Sequence, residues 1–268
     1  MPVDLLSFDG KALVPKVTRS TSTLPSLVWE AARLATMPDL TTASILLAAG
    51  SSARRGGEDK LWADLGSEPL VAHPLRTLAA IDAIDVLVLV APAERHSMLR
   101  TLAGEAPVDL RVVEGGARRQ DSVAAGIAAA PQADRYLVHD GARPLISAAL
   151  VERLLAAIAE HGAVVPAVPI VDTLKHVDAK GRILGTIDRD VTRAVQTPQG
   201  FDGELLRRAH AAGDGQPAAD ATDDAALVER LDEAVWTVEG DATNFKVTTP
   251  EDLERARAIV AAATEQGP

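Results

Sequence analysis

Three cations, Arg54, Arg55 and Lys60, follow the first strongly apolar run of the chain, in the stretch LLAAGSSARRGGEDKLWADLG. The molecule as a whole carries a net charge of -11, so a basic cluster at this place answers a local need for positive charge. Glycine and small residues directly after a strand let backbone N–H groups approach a phosphate closely, while arginine and lysine add charge that the backbone lacks. The order is neither the Gly-Lys-Ser/Thr of a Walker A loop nor a GxGxxG dinucleotide fingerprint. It reads either as a different kind of phosphate loop or as a solvated connection between a strand and a helix.

Further polar clusters carry related chemistry. In EGGARRQDSVAAG, Gly115 and Gly116 could bring backbone groups against a planar base. Ser122 either caps the helix that follows or offers its hydroxyl to that base. In YLVHDGARP, Asp140 ends an apolar run and Arg143 stands three residues on. A carboxylate among phosphates is electrostatically unfavourable unless a cation lies between them, which points to a magnesium ion on Asp140. The alternative is a salt bridge between Asp140 and Arg143. His139 is expected to be packed in the core, with no chemical role. A last cluster runs from Asn244 to Lys246.

The elements that must hold these residues are legible from hydrophobic pattern. From residue 43 onward, short runs of Val, Ile and Leu (ASILLAA, DVLVLVA, RYLVHD, AVVPAV) alternate with segments of helical period (PLVAHPLRTLAAI, QDSVAAGIAAA, SAALVERLLAAIAEHG). Strands that are apolar without interruption indicate a parallel sheet covered on both faces, hence a three-layer α/β domain. In such a sheet, ligands gather at the carboxyl ends of the strands, and the clusters described above all fall at such ends. The alternation breaks over residues 168–200, where VPIVDTLKHVDAKGRILGTIDRD alternates around a polar turn at Asp178 to Gly181 and reads as a projecting hairpin. Thr249, Pro250, Glu251 and Asp252 open a final helix as a capping box with proline in its first turn.

Composition excludes several classes. With no cysteine, the chain has no disulfide framework, thiol nucleophile or thiolate metal site, and it suits a reducing cytoplasm. Apolar runs stay below the roughly eighteen residues a membrane helix needs, and the amino terminus lacks the pattern of a secretion signal. The acidic balance argues against general nucleic-acid binding. Residues 1–40 are mixed in pattern and read as an appendage, a disordered tail or a docking segment, ahead of one domain over 41–268.

Taken in order, LLAAGSSARR with its lysine, GGARRQDSVAAG, VHDGARP, VDTLK, VQTPQGF, TDDAALVE and NFKVTTPEDL resemble the 2-C-methyl-D-erythritol 4-phosphate cytidylyltransferases. The resemblance extends from about residue 43 to 264 and departs from the family pattern at Ser52, Asp59, Ala117 and Val171. It implies a Rossmann-like nucleotidyltransferase fold with a mainly parallel sheet and a β-arm over about 168–195, assembled as a homodimer in which each arm reaches its neighbour's site. It also implies transfer of a cytidylyl group from CTP to methylerythritol phosphate with release of pyrophosphate, supported by magnesium. By the same resemblance, Ala48, Ala49, Gly50, Ser51, Gly116, Arg119 and Ser122 are nucleotide-binding. Arg54 and Lys60 grip the triphosphate, and Asp140 holds the metal. Lys246 joins these as a catalytic cation. Arg143, Thr197 and Thr222 face the second substrate, with Thr173 and Arg189 supplied by the partner's arm. Ribitol 5-phosphate as acceptor, or a catalytically silent nucleotide-binding homologue, are the alternatives.

Overall fold

A computed structural model describes residues 40–49, 60–213 and 221–265. Its strands are β1 (Thr42–Leu47), β2 (Asp64–Leu65), β3 (Glu68–Pro69), β4 (Val86–Ala91), β5 (Asp109–Glu114), β6 (Arg135–Asp140), β7 (Ala163–Pro169), β8 (Leu174–Val177), β9 (Ile183–Ile187), β10 (Arg193–Val195), β11 (Gln199–Asp202) and β12 (Trp236–Glu239). The helices are α1 (Ala72–Ala79), α2 (His96–Ala103), α3 (Arg119–Ala129), α4 (Ala148–His161), α5 (Gly203–Gly213), α6 (Asp224–Glu229) and α7 (Pro250–Glu265).

An 8-stranded sheet has the order β10-β7-β11-β6-β1-β4-β5, with β12 on β7. β6, β1, β4 and β5 are mutually parallel. Both faces of β6, β1 and β4 are covered, which is why they read as near-continuous apolar runs, while β5 at the edge is half-buried. Alternate residues divide the core: Leu46, Leu87, Leu89 and Leu137 pack towards Leu75, Leu99, Leu150 and Ala256 of α1, α2, α4 and α7. Ile45, Val88, Val90 and Val138 face Val123, Leu206 and Leu227 of α3, α5 and α6. Helix ends follow local chemistry. Ser147 Oγ accepts the Leu150 N–H at the start of α4, and Gly162, at φ 74°, closes the helix in a conformation that costs a residue with a Cβ. The capping box expected before α7 is present: Asp252 accepts the Thr249 N–H at 2.9 Å, and Thr249 Oγ1 accepts the Asp252 N–H at 3.2 Å.

Two strands depart from the simple parallel expectation: β10 pairs antiparallel with β7 at the sheet edge, and β11 is reversed inside the sheet. β11 lies antiparallel between β6 and β7, so its first residues, rather than its last, sit at the carboxyl tip of β6. The register Gln199↔Val138 sets Thr197 beside Asp140.

β8 and β9 form a separate antiparallel hairpin whose turn holds Gly181 at φ 82°. Asp178 Oδ1 accepts the backbone N–H groups of Lys180 and Arg182, which accounts for the polar turn. Val171, Val177, Ile183, Leu184 and Val191 are exposed on or beside this hairpin.

Candidate active site

Strand order reverses direction at β1, with β4 on one side and β6 on the other, and a crevice opens at such a switch point. Leu47 and Asp140, the last residues of β1 and β6, are register partners. The chain crosses tightly here: Gly141 N–H donates to the Leu47 carbonyl at 2.9 Å, and a Cβ on Gly141 would stand 2.7 Å from that oxygen. Ala48 is buried and donates to the Val90 carbonyl. Ala49 abuts the next loop so closely that a Cβ on Gly115 would lie 2.4 Å from its own. Gly116 leaves even less room, 2.2 Å, against Asp121. The paired glycines therefore let the loop after β5 fold down between β1 and the start of α3.

Ser122 is not the cap of α3. The cap position is Arg118, whose N–H donates to the Asp121 carboxylate at 3.0 Å. Ser122 lies one turn inside, where its hydroxyl accepts from Gly116 N–H at 3.1 Å and donates to the Arg118 carbonyl at 3.2 Å. It fixes the glycine loop to the helix.

Asp140 is the electrostatic centre. Its Oδ2 accepts from Lys246 Nζ at 2.7 Å and its Oδ1 lies 3.5 Å from Arg119 Nε. Burial opposes its ionisation, but the charges of Lys246 and Arg119 outweigh this and hold the carboxyl at about 2. Arg119 is half-buried and pairs more closely with Asp224 (2.7 Å). Burial works against its charge, yet the two carboxylates raise its pKa above the usual value. The expected alternative, an Asp140 to Arg143 salt bridge, gives way to these partners, because Arg143 Nη1 donates to the Asn244 carbonyl at 2.8 Å.

Behind Asp140 runs a directional hydrogen-bond chain. The Asp140 N–H donates to Thr197 Oγ1 at 3.0 Å, and Thr197 Oγ1 lies 3.1 Å from His139 Nδ1. His139 Nε2 lies 3.0 Å from the Arg143 carbonyl, which can only accept. His139 therefore carries its proton on Nε2, and Thr197 donates to Nδ1. The ring is fully buried and burial lowers its pKa to about 4, so it is neutral and structural, as the sequence suggests. Asn244, also fully buried, donates from Nδ2 to the Thr197 carbonyl at 2.8 Å. These bonds tie the tips of β6 and β11 to the segment that presents Lys246. Arg119 Nη2, Arg143 Nε and Asn244 Oδ1 are buried polar atoms left without a hydrogen-bond partner, a set that ligand oxygens and donors would complete.

Sequence reasoning missed three residues here, Asp224, His210 and Gln199. Asp224 is completely buried, accepting from Arg119 on Oδ2 and from His210 Nε2 at 3.0 Å on Oδ1. Gln199 Oε1 takes the Asp224 and Ala225 N–H groups, and Gln199 Nε2 donates to Asp223 at 2.7 Å. The signals available were the acidic doublet in TDDAALVE and a histidine within the helical pattern of LLRRAHAAG.

The remaining predicted residues are placed as follows. Gly50, Ser51 and Arg54 lie outside the described residues. Lys60 opens a 3₁₀ turn, Lys60–Trp62, and the next side chain, Leu61, comes within 3.6 Å of where a Cβ on Gly141 would stand. Lys60 is thus one residue from contact with the tip of β6. Arg95 stacks 4.4 Å over the Trp62 ring. Thr222 is exposed immediately before Asp223. Thr173 and Arg189 sit exposed on the arm, where Arg189 donates to the Val171 carbonyl. Among the described residues no group of three or more histidine or carboxylate side chains is arranged to hold a metal ion. A single ionised carboxylate fits a magnesium ion whose other ligands are phosphate oxygens and water, and does not make a cage of its own.

The family model for 2-C-methyl-D-erythritol 4-phosphate cytidylyltransferase matches residues 42–262. The chain belongs to that family. A relative of this name from Rhodococcus jostii is 45% identical over 219 residues, spanning 81% of this chain and 94% of the relative. Among solved structures, a 4-diphosphocytidyl-2C-methyl-D-erythritol synthase from Anaerococcus prevotii matches with a TM-score of 0.75 at 29% identity, covering 84% of this chain and all of its own. The 2-C-methyl-D-erythritol 4-phosphate cytidylyltransferase of Thermus thermophilus matches with a TM-score of 0.65 at 36% identity, covering 81% of this chain and 98% of that one. The matched segment begins at β1 and ends within α7, so every polar cluster described above lies inside it. The family resemblance and the mainly parallel α/β fold read from the sequence are both borne out.

Proposed function

We propose that this chain transfers a cytidylyl group from CTP to 2-C-methyl-D-erythritol 4-phosphate, giving 4-diphosphocytidyl-2-C-methyl-D-erythritol and pyrophosphate. The observation that carries the reading is Asp140 at the switch point, ionised between Lys246 and Arg119 at the tip of β6 beside the end of β1, in a member of this family.

Both substrates are polyanions, so their mutual repulsion and the charge spread over the pentacoordinate transition state are the main barriers a protein can lower. Fixed positive charge does this. Lys60, Lys246, Arg143 and Arg54 supply it, with Arg143 and Lys246 held by the Asn244 segment before substrate arrives. The acceptor's phosphate oxygen attacks the α-phosphorus in line, the bond to the β-phosphate oxygen breaks, and pyrophosphate leaves with both bonding electrons. No covalent enzyme intermediate is required. Ala48, Ala49, Gly116 and Ser122 lie together where the cytosine ring would be held. Asp140 would hold a magnesium ion, which would supply charge neutralisation at the nucleotide phosphates. Thr197 and Thr222 face the acceptor side, and Arg119 serves the nucleotide side.

The arm supports a homodimer. Aliphatic side chains on or beside the hairpin are left in solvent, and Thr173 and Arg189 stand among them, which supports reading them as residues offered to a second copy's site. We assign residues about 168–195 to that contact, residues 1–40 to an extension outside the catalytic domain, and the protein to a reducing cytoplasm, in keeping with the absence of cysteine. Among the described residues no helix is long and apolar enough to cross a membrane.

The test is a pyrophosphate-release assay with magnesium, crossing CTP, UTP and ATP with methylerythritol and ribitol phosphates. Release with CTP and methylerythritol phosphate above all other pairs is expected. Preference for ribitol phosphate, or no release with any pair, overturns the reading.

A further inference from the structure

Asp140 has two cationic neighbours held at different distances. Lys246 is in full contact at 2.7 Å, while Arg119 stops at 3.5 Å. An arginine beside an ionised carboxylate ordinarily closes to a short, often bidentate pair. Arg119 is prevented from doing so because its guanidinium is already engaged, at 2.7 Å, by Asp224.

Asp224 is built to win that contest. It is completely buried, its backbone N–H is fixed by Gln199 Oε1 at 3.1 Å, and its second oxygen accepts from His210 Nε2 at 3.0 Å. His210 is itself buried on α5. Burial opposes the charge on Asp224, but the hydrogen bond from His210 and the charge of Arg119 keep its carboxyl below the ordinary range. The row His210, Asp224, Arg119, Asp140, Lys246 therefore alternates donor and acceptor across α5, α6, α3, the tip of β6 and the segment before α7. Only the Arg119 to Asp140 link in it is slack.

We propose that His210 and Asp224 are positioning residues that hold the Arg119 guanidinium off Asp140, so that Oδ1 of Asp140 stays open to the cation-bearing phosphate end of the nucleotide. This rests on the cytidylyltransferase reading and assigns a purpose to the slack link within it. Loss of the Asp224 charge frees Arg119 to close on Asp140 and compete with the incoming cation. Loss of the His210 donor does the same more weakly, by freeing Asp224 to shift.

The experiment measures CTP binding by titration calorimetry, with and without magnesium, beside KM and kcat for pyrophosphate release. Asp224→Asn should weaken magnesium-dependent CTP binding about tenfold, the lower range for partners that orient a ligating group. Binding without magnesium should change by less than about twofold. In an Arg119→Gln background, Asp224→Asn should add no further magnesium-dependent loss, since the competitor is gone. His210→Gln places an amide N–H where Nε2 stands and should match the parent, whereas His210→Asn places its amide at the other ring position and should behave like a milder Asp224→Asn. Equal losses with and without magnesium, the same loss in the Arg119→Gln background, or Gln as damaging as Asn at 210 each overturn the inference. If Asp224→Asn does not fold, the Gln and Asn variants of His210 decide alone. A parent protein that releases no pyrophosphate overturns the cytidylyltransferase reading itself, while an active parent with any of the contrary results above overturns only the positioning role.

Discussion

The tip of β6 and the β8–β9 arm are built on opposite principles. At the tip, His139, Asn244 and Asp224 are completely buried, and each is tied to neighbours from other elements. Groups held this way favour fixed charge that acts on a transition state without reorganising. On the arm, aliphatic side chains face water, Thr173 is exposed, and Arg189 donates to the Val171 carbonyl. The tip is tied together within one chain; the arm leaves aliphatic side chains exposed. Charged groups held by several bonds stand where several elements meet, and exposed aliphatic groups stand on a two-stranded projection.

This contrast can be broken by substitution. The largest effect is expected for the cations proposed to meet the phosphates: Lys60→Ala, Lys246→Ala and Arg54→Ala should each lower kcat by about 100-fold to 1000-fold, roughly 3 to 4 kcal/mol, with the thermal midpoint little changed. Near-normal turnover in these variants would remove the charge assignment. Next comes acid sensitivity of the tip. Burial holds His139 at about 4 in the folded chain, against about 6.5 when unfolded. As pH falls through that window, the unfolded state takes up a proton that the folded state refuses, so stability drops, by up to about 3 kcal/mol. Urea unfolding from pH 7.5 to 4.5 should show this slope, and His139→Gln should flatten it; a slope unchanged by the substitution would locate the acid response elsewhere.

A smaller loss is expected from Asn244→Leu, which removes the bond to the Thr197 carbonyl and leaves that carbonyl buried. Stability should fall by about 1 to 3 kcal/mol, with kcat falling alongside because Lys246 and Arg143 share the segment. Denaturant midpoints and turnover measured on the same preparation check whether the two move together. The smallest change in the folded chain itself is expected on the arm. Lysine at Val177, Ile183 and Leu184 should alter intrinsic stability by less than about 0.5 kcal/mol per site, yet shift the protein from dimer to monomer in sedimentation velocity and abolish turnover. Arg189→Ala should be rescued in mixed assemblies by a partner that is itself inactive through Lys60→Ala. Full activity in a monomer would place the complete site within one chain.

Much of the frame was legible because burial writes directly into sequence. Unbroken aliphatic runs such as VLVLVA can only be strands covered twice, and the polar residues that end them mark the edge where ligands gather. The arm was legible for the complementary reason: alternation around Asp178 to Gly181 has no helical stripe and no second apolar face. The glycine pair at 115 and 116 was read as closeness to a ligand, and the closeness found is first of all to Ala49 and Asp121. Ser122 was weighed as a cap because its position relative to the helix start depends on Arg118 and Asp121, whose pairing has no distinctive composition. His210 and Asp224 were passed over because a histidine in an alanine-rich helix and a doublet of acids are common on surfaces, and only packing buries them against each other.

The sequence by itself determined the order of strands and helices, the positions of the charged clusters at strand ends, and the family to which the chain belongs, since each of these is written in local pattern or in short runs of residues. Which of those charges meet was decided by the tertiary structure alone. Asp140 takes Lys246 and Arg119 in place of nearby Arg143, and Thr197 reaches Asp140, because β11 enters the sheet reversed and delivers its beginning to the tip of β6. Pairing between residues far apart in the chain follows from strand order and direction, and no local run of amino acids encodes either.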